Sequence, residues 1–214
     1  SLDQVIKLAD AGDVDAQLIL GLRVLPRRNY PGDLTEAVRR LGAAANQNHP
    51  IAQHRLGRLH LQGRGVKKNP AMAARWFAAA ARQGHSEALR YLGIMYLQGN
   101  GVRRNPAEAV RLTDASALLG NIQARYGMAR MHAQDVVVPK NKIEACKWFL
   151  LIAPNNPAAT KHVVRMHEEL EPAQFAEAAM FNHSPDITCN SIEPPGIINA
   201  QMYTGMAHNA DASL

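Results

Sequence analysis

Nine histidines and two cysteines are among the residues of this chain that could act as metal ligands or as a nucleophile. His162 and His167 lie five residues apart, one more than the spacing that puts two ligands on one helical face. Cys146 lies in a helical pattern and Cys189 lies in a polar segment. The two cysteines could form one disulfide, but two free thiols are the preferred interpretation. The sequence therefore predicts no catalytic residue, no metal and no cofactor.

Two glycine pairs, Gly63-Arg64-Gly65 and Gly99-Asn100-Gly101, are the only candidates for a phosphate-cradling loop. They follow neither the Walker nor the dinucleotide pattern, and the second pair repeats the first after 36 residues. We interpret both as turns between helices.

The 36-residue spacing extends through most of the chain. Glycine recurs at positions 21, 57 and 93, and alanine at 16, 52, 88 and 124. A fixed period of this size indicates a repeat array, in which each repeat buries its apolar face on its neighbours. We predict repeats at 13–48, 49–84, 85–120 and 121–156, and each closes on a residue typical of a helix C-terminus: Asn48, Gly84, Gly120 and Asn156, with Gly12 before the first.

Each repeat reads as a helix, a glycine loop and a second helix. In the repeat 49–84, small and apolar residues follow helical spacing from Ala52 up to the glycine pair. Asn69-Pro70 then has the form of an N-cap followed by proline at the first helical position. The predicted fold class is therefore all-α, built from stacked helix-turn-helix repeats.

The strings AQHRLG (52–57), GRGVKKN (63–69) and AARWF (73–77) resemble the Sel1-like repeat, a relative of the tetratricopeptide repeat. The resemblance implies a right-handed α-solenoid that binds other proteins through a concave groove. Some relatives with paired cysteines have been linked to β-lactam binding or hydrolysis, but this chain lacks a cysteine pair in each repeat. The loop at 25–32 and the residues Asp135 and Val137 depart from the pattern, as is typical of end repeats.

Beyond the fourth repeat, His162–Glu171 and Pro172–Ala178 read as capping helices within 157–182. The solenoid is thus predicted over 1–182, followed by an irregular acidic tail at 183–214. All 24 Lys and Arg lie in residues 1–165, whereas residues 166–214 hold seven acidic residues and no basic one. Three interpretations fit this asymmetry. The tail lies back on the basic body, the two ends face partners of opposite charge, or both ends are ordinary solvated surface.

The chain starts at Ser1, directly before a helical pattern that runs from Leu2 to Asp10. A cleaved export signal and a trimmed cytoplasmic chain both fit this start. We expect a periplasmic protein, with the cytoplasm as the alternative. No apolar run is long enough to predict a membrane span.

Two surfaces are candidates for partner binding. The first is a stripe on the first helices of the repeats, where residues four apart share one face. Such mixed polar and aromatic side chains suit a groove that holds a protein segment, although solvated helix faces are the simpler alternative. The stripe comprises His54, Arg58, Gln62, Arg90, Ile94, Gln98, Tyr126, Arg130 and Gln134.

The second surface is a basic ridge at equivalent loop positions: Lys67, Lys68, Arg103, Arg104 and Lys140. A basic stripe could bind nucleic acid, but the chain has few aromatic residues for base stacking and no nucleic-acid motif. We expect an acidic protein surface as the partner, or peripheral contact with anionic headgroups.

The predicted function is a non-catalytic protein-binding module. The resemblance implies several bacterial roles, among which an immunity protein that neutralises a secreted effector toxin suits a basic binder without chemistry of its own. An adaptor or regulator in the bacterial envelope or in signalling is the alternative. A β-lactam-hydrolysing relative is the least favoured, since no activated nucleophile is found.

Overall fold

The computed structural model describes residues 1–24, 34–135 and 137–181. Within these ranges the chain forms α-helices, one 3-10 turn and no strand, which confirms the all-α prediction. The loop at 25–33, the predicted tail at 183–214 and Cys189 lie outside the described residues. No helix in the described ranges is long and apolar enough to cross a membrane.

The chain divides into two compact units, an N-terminal unit Ser1–Arg104 and a C-terminal unit Asn105–Leu214. The helices of the N-terminal unit are α1 (Leu2–Asp10), α2 (Val14–Val24), α3 (Leu34–Asn46), α4 (Pro50–Gln62), α5 (Pro70–Ala81) and α6 (Ser86–Gln98). The C-terminal unit contains α7 (Pro106–Leu118), α8 (Ile122–Gln134), α9 (Lys142–Leu150), the 3-10 turn Ala153–Asn155, α10 (Pro157–Glu169) and α11 (Pro172–Met180). Within each unit, helices that follow one another in sequence pack together.

Asparagines 36 residues apart start the second helix of three successive repeats. The side chains of Asn69, Asn105 and Asn141 accept hydrogen bonds from the backbone N–H groups of Met72, Glu108 and Glu144. Each bond satisfies a backbone donor that the first helical turn leaves unpaired. The Asn-Pro signal read from the sequence is confirmed at α5.

Helix ends follow the prediction at all but one of the proposed repeat boundaries. Gly12, Gly84 and Gly120 have positive φ angles of 99°, 76° and 83°, and Asn48 has a φ of 67°. Asn156 is different. It has an extended φ of −142° and its side chain accepts from the N–H groups that open α10. Asn156 ends the 3-10 turn Ala153–Asn155 without the positive φ of the other boundaries, because a residue before a proline is driven out of the helical region.

Glycine allows close helix packing at two positions. A Cβ atom on Gly57 would lie 2.9 Å from the ring of Phe77, and one on Gly21 would lie 2.7 Å from Leu41. Phe77 and Leu41 are themselves fully buried. The recurring small residues therefore serve packing, as the periodicity predicts.

The capping helices differ slightly from the prediction. α10 begins at Pro157, five residues before the predicted start at His162, whereas α11 begins at Pro172 as predicted. Both helices pack against α9, and Ala159 and Ala178 are buried in the core of the C-terminal unit.

Candidate protein-binding surface

The predicted stripe of the N-terminal unit lies on α4 and α6, and its members differ in exposure. Gln62 and Gln98 are exposed at the C-terminal ends of these helices, while Arg58, Arg90 and Ile94 are half-buried. His54 was also predicted to belong to the stripe. The structure corrects this prediction, because His54 is only 5% exposed and belongs to the core. The N-terminal stripe therefore consists of Arg58, Gln62, Arg90, Ile94 and Gln98.

His54 is covered because the following repeat closes over it. Its ring stacks on His85 with centroids 4.5 Å apart and lies against Phe77 and Tyr91. Burial, the repulsion that would arise if His85 were also protonated, and the nearby charges of Arg55 and Arg58 lower the pKa of His54 to about 3. The buried Nε2 atom has no hydrogen-bond partner. His54 is thus a neutral residue of the core in the folded protein.

His85 links this cluster to the start of α6. Its Nδ1 atom accepts a hydrogen bond of 3.3 Å from the Ala88 N–H, so it caps the helix. Burial lowers the pKa of His85 as well. Both stacked imidazoles are therefore held as neutral bases.

Tyr91 lies beside the N-terminal stripe, in contact with Arg58 and Arg90, and the sequence did not single it out. One ring face stacks on Phe77, with centroids 5.1 Å apart and planes 8° from parallel. The guanidinium carbon of Arg90 lies 4.3 Å from the Tyr91 centroid, and that of Arg58 lies 5.8 Å from it. An arginine held on an aromatic ring is oriented for a bidentate contact with a carboxylate.

The two arginines on Tyr91 are not equivalent. Arg90 is bonded to Glu87 at 2.9 Å, and its side chain is only 14% exposed. Among the described residues, Arg58 forms no ion pair. Arg58 is therefore the better anchor for an acidic side chain of a partner, while Arg90 mainly supports the ring.

The predicted stripe continues in the C-terminal unit on α8. Arg130 and Gln134 are exposed and their side chains are joined by a hydrogen bond of 3.3 Å. Tyr126 is half-buried, with its ring edge-on to Phe149 at 5.7 Å. Phe149 in turn stacks on His162 at 4.5 Å. Tyr126 thus contributes to packing and leaves only part of its surface for a partner.

The predicted ridge residues are exposed on their loops. Lys67, Lys68 and Arg103 are exposed in the N-terminal unit, and Lys140 is exposed in the C-terminal unit. Arg104 is also exposed, but its Nε atom donates a hydrogen bond of 3.1 Å to the Leu97 carbonyl at the end of α6. Arg104 therefore satisfies a helix C-terminus, a structural role that the sequence pattern does not reveal.

Among the described residues, no group of three or more His, Cys, Asp or Glu side chains could hold a metal ion. His162 stacks on Phe149, and His167 lies edge-on to Phe175, which gives both rings a packing role. The Cys146 thiol is free and buried, and burial raises its pKa, which disfavours the reactive thiolate.

The family comparison matches residues 50–85, 86–121 and 122–153 to the Sel1 repeat. These three matches together cover just under half of the chain. Proteins built from this repeat generally mediate protein–protein interaction, and the fold is typically a non-catalytic scaffold. None of the curated proteins matches the chain.

Two solved structures of repeat proteins are similar in fold to this chain. One is c5321, described as a protective antigen present in uropathogenic Escherichia coli strains displaying an SLR fold, with a TM-score of 0.74 and 26% identity over 84% of this chain. The other is a Sel1 repeat protein from Oxalobacter formigenes, with a TM-score of 0.73 and 31% identity over 84% of this chain. The chain spans 39% of the first protein and 53% of the second.

Proposed function

We propose that the chain is a non-catalytic module that binds a partner protein through the N-terminal unit, using the N-terminal stripe and the basic loops. The observation that carries this proposal is the arrangement around Tyr91. Arg58 lies over a ring that Phe77 and Arg90 hold in place, and no acidic residue of the described chain neutralises it. Pre-oriented arginine and tyrosine side chains are typical hot spots of protein interfaces.

Within this function we propose the inhibitory form, an immunity protein that masks a secreted effector toxin in the periplasm. Residues 1–104 contain 16 Lys and Arg but seven Asp and Glu. One-sided charge of this kind accelerates association with an oppositely charged partner, and fast capture is what a neutralising protein needs. Masking a partner needs no chemistry from the inhibitor itself.

The first experiment is affinity capture of the purified chain from a lysate of its source, with bound proteins identified by mass spectrometry. One stoichiometric effector-like partner supports the inhibitory form. Several envelope or signalling proteins would instead make the chain an adaptor. Turnover of a chromogenic β-lactam by the purified chain would contradict the non-catalytic part of the proposal.

The captured partner allows a matched test of the stripe. Arg58 and Arg130 hold the same repeat position, 72 residues apart, in the two units. We expect Arg58→Ala to weaken binding by about 2 kcal/mol and Arg130→Ala to change it by less than about 0.5 kcal/mol. Calorimetric titration measures both. Equal losses, or no loss with Arg58→Ala, would remove the N-terminal stripe from the interface.

A further inference from the structure

We propose that the two glycine loops of the N-terminal unit form one docking edge for an extended acidic segment of a partner protein. The loop edge consists of residues 63–69 and 99–104, and its anchors are Lys67, Lys68 and Arg103. The inference rests on the proposed function and adds the chemistry of the partner.

The two loops share one backbone shape within the N-terminal unit. Gly63 and Gly99 both have φ angles of 70°, and Gly65 and Gly101 have φ angles of 69° and 75°. The N–H of Asn69 donates a hydrogen bond of 2.8 Å to the His60 carbonyl, which closes the first loop onto α4. The backbones of the two loops therefore direct the Cα–Cβ bonds of equivalent residues in the same way.

Close backbone contacts place the second loop beside the first. A Cβ atom on Gly101 would lie 2.4 Å from the carbonyl carbon of Pro70, the residue directly after the first loop. The first loop rests in the same way on α3, since a Cβ atom on Gly65 would lie 2.8 Å from Leu34. Lys67, Lys68 and Arg103 consequently lie along one edge of the unit.

The charge of this edge is not balanced by its surroundings. Residues 37–104 contain twelve Lys and Arg, of which Arg39, Arg40 and Arg90 pair with Glu36, Asp10 or Glu87. Among the described residues, no ion pair includes Lys67, Lys68 or Arg103. Lys67, Lys68 and Arg103 are exposed, so a partner carboxylate can reach them without rearrangement. The length of an extended peptide increases by about 3.3 Å per residue, so a short extended segment of a partner can contact both loops.

Arg104 is excluded from the anchors by its own geometry. Its Nε atom donates to the Leu97 carbonyl, and its Cβ lies 3.2 Å from where a Cβ on Gly99 would stand. The side chain is thus directed back onto the end of α6. The equivalent Lys68 makes the matching backbone contact with Gly63 but has no such bond.

A protein segment fits this edge better than nucleic acid. Loops 63–69 and 99–104 contain no aromatic residue on which a base could stack. Lysine and arginine on a narrow edge can each pair with one carboxylate of an extended chain.

The test uses a fluorescein-labelled peptide of alternating Asp and Glu, with its Asn and Gln counterpart as the neutral control. Fluorescence anisotropy is measured with the full chain in about 50 mM and about 200 mM NaCl. The loop variant carries Lys67→Glu, Lys68→Glu and Arg103→Glu. The control variant carries Arg23→Glu, Arg75→Glu and Arg82→Glu, which change the net charge equally at other exposed positions of the same unit.

We expect the wild type to bind the acidic peptide and not the neutral peptide. The loop variant should lose about tenfold or more in affinity for the acidic peptide, and the control variant should lose much less. Equal losses in both variants would reduce the effect to net charge and overturn the inference. Tighter binding of a single-stranded oligothymidylate or of phosphatidylserine vesicles would also overturn it. If the captured partner binds the loop variant as well as the wild type, the inference fails, while partner binding through the N-terminal stripe stands. Circular dichroism verifies that both variants are folded.

Discussion

The two units place different side chains at the same repeat positions. Positions 54, 77 and 90 hold His, Phe and Arg, whereas positions 126, 149 and 162 hold Tyr, Phe and His. Both phenylalanines are fully buried, and each stacks on a ring from a later helix, Tyr91 or His162. The packing scheme is therefore kept while its titratable and charged members change.

The units also differ in charge balance. Residues 1–104 carry 16 Lys and Arg against seven Asp and Glu, whereas residues 105–181 carry eight of each. In the C-terminal unit, Lys142 and Arg165 both pair with Glu169 at 2.8 Å and lower its pKa to about 2. The same repeat scaffold thus supports one unit with an excess of basic residues and one with equal numbers of basic and acidic residues. This difference is the reason why we propose that the partner binds the N-terminal unit.

The largest expected effect is a loss of stability when a loop glycine of the N-terminal unit is substituted. The C-terminal unit has Asp135 with a φ of 56° at the position of Gly99, so its loop tolerates a side chain there. Gly101→Ala should destabilise the protein by about 3 kcal/mol or more, because its Cβ would clash with the backbone at Pro70. Gly84→Ala is the control, with a φ of 76° and no atom within 4 Å of its Cβ. We expect it to cost about 1 kcal/mol. Urea unfolding measures both, and equal costs would contradict tight stacking of the loops.

The second effect is a pH dependence that belongs to the N-terminal unit. The pKa of His54 is lowered to about 3 in the folded protein, so below its ordinary value of 6.5 the unfolded chain binds more protons. Stability should therefore fall as the pH decreases, by about 2 kcal/mol for His54 between pH 7 and pH 5.

Two substitutions separate the histidines in this pH dependence. His54→Tyr introduces the residue found at position 126, and His85→Asn introduces the N-cap residue found at position 121. Each should reduce the slope of the unfolding free energy against pH, because it removes one group that the unfolded chain protonates. Unchanged slopes in both variants would show that the acid sensitivity arises elsewhere.

The smallest effect distinguishes two adjacent arginines. Arg104→Ala removes the hydrogen bond to the Leu97 carbonyl and should cost about 0.5–1 kcal/mol of stability. Arg103→Ala should change stability by less than about 0.5 kcal/mol, because Arg103 is exposed on the loop. Thermal unfolding compares the two variants. A greater loss with Arg103→Ala would reverse the roles assigned to these residues.

The repeat period predicts the helices and their caps because each depends on residues close in sequence. Asn69 and Pro70 set the start of α5 by local hydrogen bonding and a fixed φ angle, and this signal needs no tertiary information. Asn156 resembles a helix end in the repeat alignment, but Pro157 next to it decides its conformation. Here too the decisive signal was present in the sequence.

The binding surface was less predictable because exposure depends on the neighbouring repeat. His54 and Arg58 lie four residues apart on one helix, yet the stacked His85 ring covers only the first. Tyr91 occupies the repeat position of Arg55, so periodicity alone gives no reason to expect an aromatic platform there. Whether the stripe and loops bind a partner stays a prediction.

Hydrogen–deuterium exchange of the full chain with and without its captured partner tests the central claim most directly. Our account predicts that the partner slows exchange in the loops 63–69 and 99–104 and along α4 and α6. Exchange at residues 137–142 in the C-terminal unit should stay unchanged. Protection confined to the C-terminal unit would contradict the assignment of partner binding to the N-terminal unit.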